Sequence, residues 1–232
     1  MNRPPVVDFC CSAGGVSVGL DRAGAQPIGV DNVPQPNYPY EFVQGDALKL
    51  AADPGFMRQF DGAAGSPPCQ RKSKMTKCRP GVAETYPDII APFRDLLIAW
   101  GGPWIIENVE GAGLPTQDDL FGDRGTMLCA SMFRDKQGRR YELYRHRWFQ
   151  SNLPLWAPNH PRHLKPASAA GHWKPGTVIS IEGHFGPMWL AREVMDINWM
   201  TRDEMREAIP PYYYGEHLGR ILLDHMTARA AA

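Results

Sequence analysis

The chain has 232 residues, 43% hydrophobic and 22% charged, an ordinary composition for a globular protein with a core of useful size. Its 25 basic and 25 acidic residues leave no net charge, which argues against attachment to nucleic acid by bulk electrostatics alone. Five cysteines, two of them adjacent at Cys10 and Cys11, and no secretory leader predict reduced thiols in a cytosolic compartment.

In chain order, "PVVDFCC" reads as a first strand that ends in glycine-rich punctuation. "GGVSVGLDRAG" follows with helical spacing, placing Val16, Leu20 and Ala23 on one side. "PIGVDN" is a second strand ending in an acid, "EFVQGDAL" a third, and "PGFMRQF" a short helix. "GAAGS" is a fourth strand, "YPDIIAPFRDLLIAW" a helix with Pro87 near its start, and "PWIIENV" a fifth strand. This alternation predicts βαβ units and a parallel sheet, with ligands at the carboxyl ends of the strands. Further on, "TMLCASMF" and "RYELYRHRWFQ" are expected to be strands. Residues 152–187, rich in Pro, His, Gly and Trp, predict an irregular insert rather than a core. "TRDEMREAI" and a helix starting behind Pro210 and Pro211, with Leu218, Ile221 and Leu222 at helical spacing, close the chain. The most apolar stretch, 89–106, is cut by Arg94, Asp95 and Pro103, so no membrane span is expected.

Chemistry-bearing residues fall at predicted strand ends. The first strand runs into a glycine pair where backbone N–H groups and a helix N-terminus can approach a ligand. Asp31 ends the second, a usual place for a carboxylate that accepts from ribose hydroxyls. Asp46 ends the third, Cys69 follows the fourth in "GSPPCQ", and Glu107 ends the fifth. Charge is segregated: Arg71, Lys72, Lys74, Lys77 and Arg79 stand together, and Arg145 and Arg147 belong to a second basic stretch. The histidines of "NHPRH", with His172 and His184, lack a paired cysteine knuckle, so no metal is expected.

Taken in order, "DFCCSAGGVSVGLDRAG", "GVDN", "GDAL", "GSPPCQ", "ENV", "RHR" and "AIPPYYYGEHLGRIL" resemble the cytosine-5 DNA methyltransferases, in the short form common in bacteriophages. The resemblance spans most of the chain except residues 152–187. It implies an α/β Rossmann-like methyltransferase sheet with helices on both faces and a small irregular target-recognition lobe. The implied division is a catalytic and cofactor-binding part at 1–150, target recognition at 151–190, and returning helices at 191–232.

The resemblance also implies roles. Cys69 would be the nucleophile that adds to C6 of a flipped cytosine, so that C5 accepts a methyl group from S-adenosylmethionine. Glu107 would hold the N3 edge of the base, and Arg147, supported by Arg145, would polarise the base and orient that glutamate. Cys10, Ser12, Ala13, Gly14, Gly15, Asp31, Asn32, Asp46, Ala47 and Pro67 would surround the cofactor. Double-stranded DNA would meet Gln70, Arg71, Lys72, Ser73, Lys74, Lys77, Arg79, His163 and Lys165, whose cations would also favour the Cys69 thiolate. Trp173 and Trp189 would pack the small lobe.

Four positions depart from the family pattern: Cys10 for an aromatic residue, Ser12 for a glycine, Leu143 for a glutamine and Glu207 for an asparagine. They leave open a hydroxymethyl transfer from a folate one-carbon donor. RNA as substrate and a catalytically silent DNA-binding relative are the other readings. A monomer in the bacterial host cytoplasm, serving restriction–modification or another use of marked DNA, completes the expectation.

Overall fold

The computed structural model describes residues 3–68, 87–112, 114, 124–134, 138, 143–166 and 171–230. Cys69 and the basic loop from Gln70 to Arg79 lie outside the described residues.

Seven strands make one sheet among the described residues: β1 Pro5–Phe9, β2 Gln26–Asp31, β3 Glu41–Gln44, β4 Gly62–Gly65, β5 Trp104–Asn108, β6 Arg124–Leu128 and β7 Arg147–Ser151. Their order is β3-β2-β1-β4-β5-β7-β6. The first five run parallel, as the alternating pattern predicts. At the far edge β7 runs antiparallel to both β5 and β6, so the sheet is mixed.

The helices are α1 Gly15–Ala23, α2 Ala47–Ala51, α3 Pro54–Met57, α4 Ile90–Trp100, α5 Met188–Met195, α6 Arg202–Glu207 and α7 Glu216–Ala230. Alternate side chains of a strand point to opposite faces, and both faces are covered. Val6, Ala64, Ile105 and Phe149 belong to one apolar cluster, which also holds Leu20, Tyr214 and Leu222 from the α1 and α7 side. Val7, Phe9, Ala63 and Ile106 belong to the other, with Met57, Phe93 and Leu97. There Phe93 meets Phe9 edge to face at 5.3 Å, and burying one such ring contributes about 1.5–3 kcal/mol. The chain is an α/β protein of Rossmann-like architecture.

Several elements differ from their sequence reading. "GDAL" is not strand: β3 stops at Gln44, and the Asp46 carboxylate caps α2 by accepting from the Lys49 N–H at 3.0 Å. In α4 it is Pro92, rather than Pro87, that sits inside the first turn, where a missing N–H costs nothing. "TMLCASMF" is strand only to Leu128, and Ala130–Met132 turn into a 3₁₀ helix. "RYELYRHRWFQ" is strand only from Arg147 among the described residues. The last helix is preceded by a π-helical stretch, Pro211–Gly215. Residues 152–166 carry no helix or strand, as expected. Nevertheless Leu153, Ile181 and Phe185 sit in the core, in the apolar cluster that also holds Phe149 of β7. Trp173 meets Trp189 edge to face at 6.2 Å, with Trp189 59% exposed.

The N-terminal helix and the C-terminus meet at close range. A Cβ on Gly19 of α1 would stand 2.3 Å from the Gly215 backbone, an approach that only glycine permits. Through this contact α7 lies against α1. Among the described residues, no helix is long and apolar enough to cross a membrane.

Candidate active site

The order β3-β2-β1-β4-β5 reverses direction between β1 and β4, and a crevice opens at the carboxyl ends of the strands beside such a switch. A cleft of about 470 Å³ lies there. Its lining includes Cys10 and Ser12 after β1, Asp31 and Asn32 after β2, and Asp46 and Ala47 at the start of α2. On the other side stand Pro67 and Pro68 after β4, Glu107 and Asn108 of β5, and Arg147 of β7. Seven of the ten cofactor candidates therefore line one cleft together with two of the catalytic candidates.

The loop after β1 is wound in an unusual way. Cys10 and Ser12 have φ of 55° and 45°, left-handed values that cost a side-chain-bearing residue about 1–2 kcal/mol. The left-handed backbone at residue 12 suits glycine, and the strain that serine brings there is offset in part by a backbone bond. The Ser12 N–H donates to Asp31 Oδ2 at 3.1 Å, while Asp31 Oδ1 accepts from the Val33 N–H at 3.1 Å. Asp31 thus locks the β1 and β2 loops together and leaves its remaining lone pairs toward the cleft. Burial, with Asp31 nearby, pushes the Cys10 thiol up to about 12, so Cys10 stays protonated and acts as wall, not nucleophile.

Ala13, Gly14 and Gly15 do not line the cleft. Gly14 packs against the Tyr38 ring, and a Cβ at Gly15 would meet the Ile209 carbonyl at 2.9 Å. The Ala13 carbonyl accepts from the Trp199 indole at 3.1 Å. In the structure these small residues let the start of α1 pack closely against Tyr38, Ile209 and Trp199. Trp199 was not singled out in the sequence, since a lone tryptophan in an unpatterned stretch carries no signal.

The other side of the cleft is built by strand register. Glu107 stands opposite Phe149 in the antiparallel pair, and Arg147, two residues from Phe149, shares its face. Long side chains reach across such a diagonal, and the Arg147 Nε lies 3.1 Å from Glu107 Oε1. Burial pushes the Glu107 carboxyl above the ordinary carboxylate range, against the pull of Arg147 and then Arg145. A buried carboxyl whose pKa is raised beside a guanidinium is placed to exchange a proton with a group in the cleft.

Asn108 is a residue whose part the sequence reading missed, although "ENV" was in view. Its side-chain amide donates to the Pro67 carbonyl at 2.8 Å and its Oδ1 accepts from the Val109 N–H at 2.9 Å. This buried clamp joins β5 to the chain just ahead of Cys69.

Arg145 does not touch the cleft. It is 1% exposed, and it donates to the Ile181 and Arg206 carbonyls at 2.8 and 2.5 Å. Its own carbonyl accepts from the Tyr214 hydroxyl. Desolvation lowers its pKa to about 9, a result of carrying a guanidinium in the core. It braces the irregular segment at Ile181 and the end of α6 at Arg206. His163 is turned inward as well, with Nε2 3.5 Å from Cys129 Sγ and 3.3 Å from Ser131 Oγ. The Lys165 N–H donates to the Tyr144 hydroxyl at 3.4 Å, beside the same cluster.

No protein-family model matches the sequence, and no curated protein matches it. Solved structures do. The Entamoeba histolytica methyltransferase EhMeth is 12% identical, with 97% of this chain matched to 99% of that one at a TM-score of 0.57. The S. pombe Dnmt2 methyltransferase is 12% identical over 100% of both chains, at a TM-score of 0.56. The chain has a methyltransferase fold. A prophage-encoded E. coli protein described as a DNA modification methyltransferase is 19% identical, and 77% of this chain covers 53% of it. This chain thus spans about half the length of that protein, and at a TM-score of 0.45 the match is too loose to extend the likeness. At identities this low the shared methyltransferase fold speaks for architecture, and chemistry has to be argued from the site.

Proposed function

We propose that the protein is a DNA cytosine-5 methyltransferase that activates its base through Cys69. The observation that supports this most is the Glu107–Arg147 pair in the wall of a strand-end cleft, with Asn108 holding the backbone two residues before Cys69.

The cleft suits S-adenosylmethionine in donor chemistry. Asp31 accepts from hydroxyls, Asp46 keeps one carboxylate oxygen beyond its cap bond, and Ala47 and Leu48 add apolar wall. The volume falls within the range of small-molecule sites. Cys10 supplies a small polarizable surface where the resembled family carries a ring. When bound, S-adenosylmethionine supplies an electrophilic methyl group.

The chain's residues prepare the other reactant. C5 of cytosine is a poor nucleophile while the ring is aromatic. Addition of the Cys69 thiolate at C6 breaks the aromaticity and makes C5 enamine-like. As charge builds on the ring, the Glu107 carboxyl holds N3 and supplies or shares a proton, its raised pKa keeping that proton at hand. Arg147 fixes the orientation of the carboxyl. The base must leave the stack for these atoms to reach it.

The test is nucleoside mass spectrometry of DNA treated with the protein and S-adenosylmethionine. Wild-type protein adds one CH₂ unit to cytosine, Cys69→Ser adds none, and DNA carrying 5-fluorocytosine stays covalently attached to the wild-type protein. A gain of CH₂O, modification of RNA alone, or full activity of Cys69→Ser each defeats the proposal.

A further inference from the structure

Away from the cleft, four metal-ligating side chains gather from parts of the chain that are distant in sequence. Cys129 follows β6, His146 precedes β7, and His160 and His163 belong to the irregular segment after β7. One donor atom from each lies within 4.8 Å of the other three. Cys129 Sγ is 3.5 Å from His163 Nε2, and His146 Nε2 is 3.1 Å from His160 Nε2.

Two of these separations match those of a coordination tetrahedron, and the remaining pairs, within 4.8 Å, need only close in on a bound ion. Zinc–sulfur bonds of about 2.3 Å and zinc–nitrogen bonds of about 2.0–2.1 Å place sulfur and nitrogen about 3.6 Å apart and two nitrogens about 3.3 Å apart. The Cys129–His163 and His146–His160 pairs agree within a few tenths of an ångström. We propose that Cys129, His146, His160 and His163 form a tetrahedral zinc site.

The donor set selects the metal class. One thiolate and three imidazoles suit zinc, and they offer none of the oxygen donors that calcium or magnesium need. Cys129 forms the buried floor, while His146 and His160 are exposed and leave an entry path. The rings are held in place: Tyr144 stacks on His163 at 3.6 Å and 4°, and His146 lies nearly parallel to His163 at 5.1 Å. On binding, Cys129 releases its thiol proton to solvent and the imidazoles coordinate in their neutral forms.

Four protein ligands leave no open position, so the site is structural. Residues 152–166 have no ladder hydrogen bonds to the sheet, and coordination by His160 and His163 ties them to β6 and β7. His146 adjoins Arg147, so the same metal steadies the strand that presents the guanidinium to Glu107.

The experiment uses untagged full-length protein dialysed against metal-free buffer, with zinc measured by inductively coupled plasma mass spectrometry. About one zinc per chain is expected. Cobalt(II) added to the stripped protein should give intense visible bands of tetrahedral geometry and a near-ultraviolet thiolate-to-cobalt band. Cys129→Ser should remove the thiolate band. His160→Ala alters an exposed side chain and leaves the core intact, with folding checked by circular dichroism, and should weaken zinc retention at least ~10-fold. Less than ~0.1 zinc per chain with a pale octahedral cobalt spectrum, or bands unchanged in both variants, overturns the proposal. None of these readouts depends on methyl transfer, so the site and the proposed activity stand or fall separately.

Discussion

Arg147→Met exposes the energetics of the cleft most directly. Arg147 Nε lies 3.1 Å from Glu107 Oε1, and the two side chains are only 11% and 13% exposed. At an effective dielectric of about 20, two unit charges at that distance attract by about 5 kcal/mol. Removing one partner of a buried pair costs about 3–5 kcal/mol, because the other charge is left without compensation. The contact to Glu182, 3.4 Å away and on a residue 55% exposed, is screened and adds well under about 1 kcal/mol. Arg147→Met should therefore lose about 3–5 kcal/mol in urea unfolding at pH 8. At about 2 kcal/mol per molar, this is a fall of ~2 M in the midpoint.

The sign of the pH dependence follows from Glu107. Burial already raises its folded-state pKa, and loss of the guanidinium raises it further. A carboxyl with a raised folded pKa contributes stability below its unfolded pKa that is lost as pH climbs through the folded one. The deficit of Arg147→Met should thus shrink on acidification, because protonation removes the stranded charge. In a Glu107→Gln background the same substitution should cost no more than about 1 kcal/mol. Equal deficits at pH 5 and pH 8, or equal costs in both backgrounds, would refute the reasoning.

Two further outcomes follow from the core. Asp8 is fully buried, accepts from the Ser17 hydroxyl, and has its pKa raised by desolvation from 3.8 to about 7. At about 1.4 kcal/mol per pH unit, wild-type protein should lose roughly 4 kcal/mol between pH 4 and pH 7 through this group. Asp8→Asn should flatten that part of the curve, and parallel curves would remove Asp8 from the account. Gly19→Ala would push a Cβ to 2.3 Å from the Gly215 backbone, which cannot swing aside as a side chain does. The expected loss is about 3 kcal/mol, or ~10 °C in melting temperature. A variant melting within ~2 °C of wild type would show that α1 and the Pro211–Gly215 stretch are not so tightly apposed.

Much of the parallel half was legible because its signals are local. Each strand of "PVVDF", "PIGVD" and "WIIEN" is a short, largely apolar run, with an acid or glycine within it or a few residues beyond its end. A parallel sheet brings such strand ends to one edge, so Asp31, Asp46 and Glu107 could be placed together without coordinates. Cap and strand end look alike in sequence, so "GDAL" reads as strand although Asp46 caps α2.

What only the tertiary structure decided rests on register and on long-range closure. The two arginines of "RHR" lie two residues apart on the same side of one segment. One reaches Glu107 by an antiparallel diagonal, while the other is drawn into the core between Ile181 and Arg206. Asn108 found the Pro67 carbonyl, and Trp199 found the Ala13 carbonyl, across intervals that no periodicity marks. Cys129 and the histidines of "NHPRH" met for the same reason. Spacing along a chain reports which residues share a helix or strand face. Which faces then meet depends on how the whole sheet closes, and that is settled by burial of apolar surface summed over the entire fold.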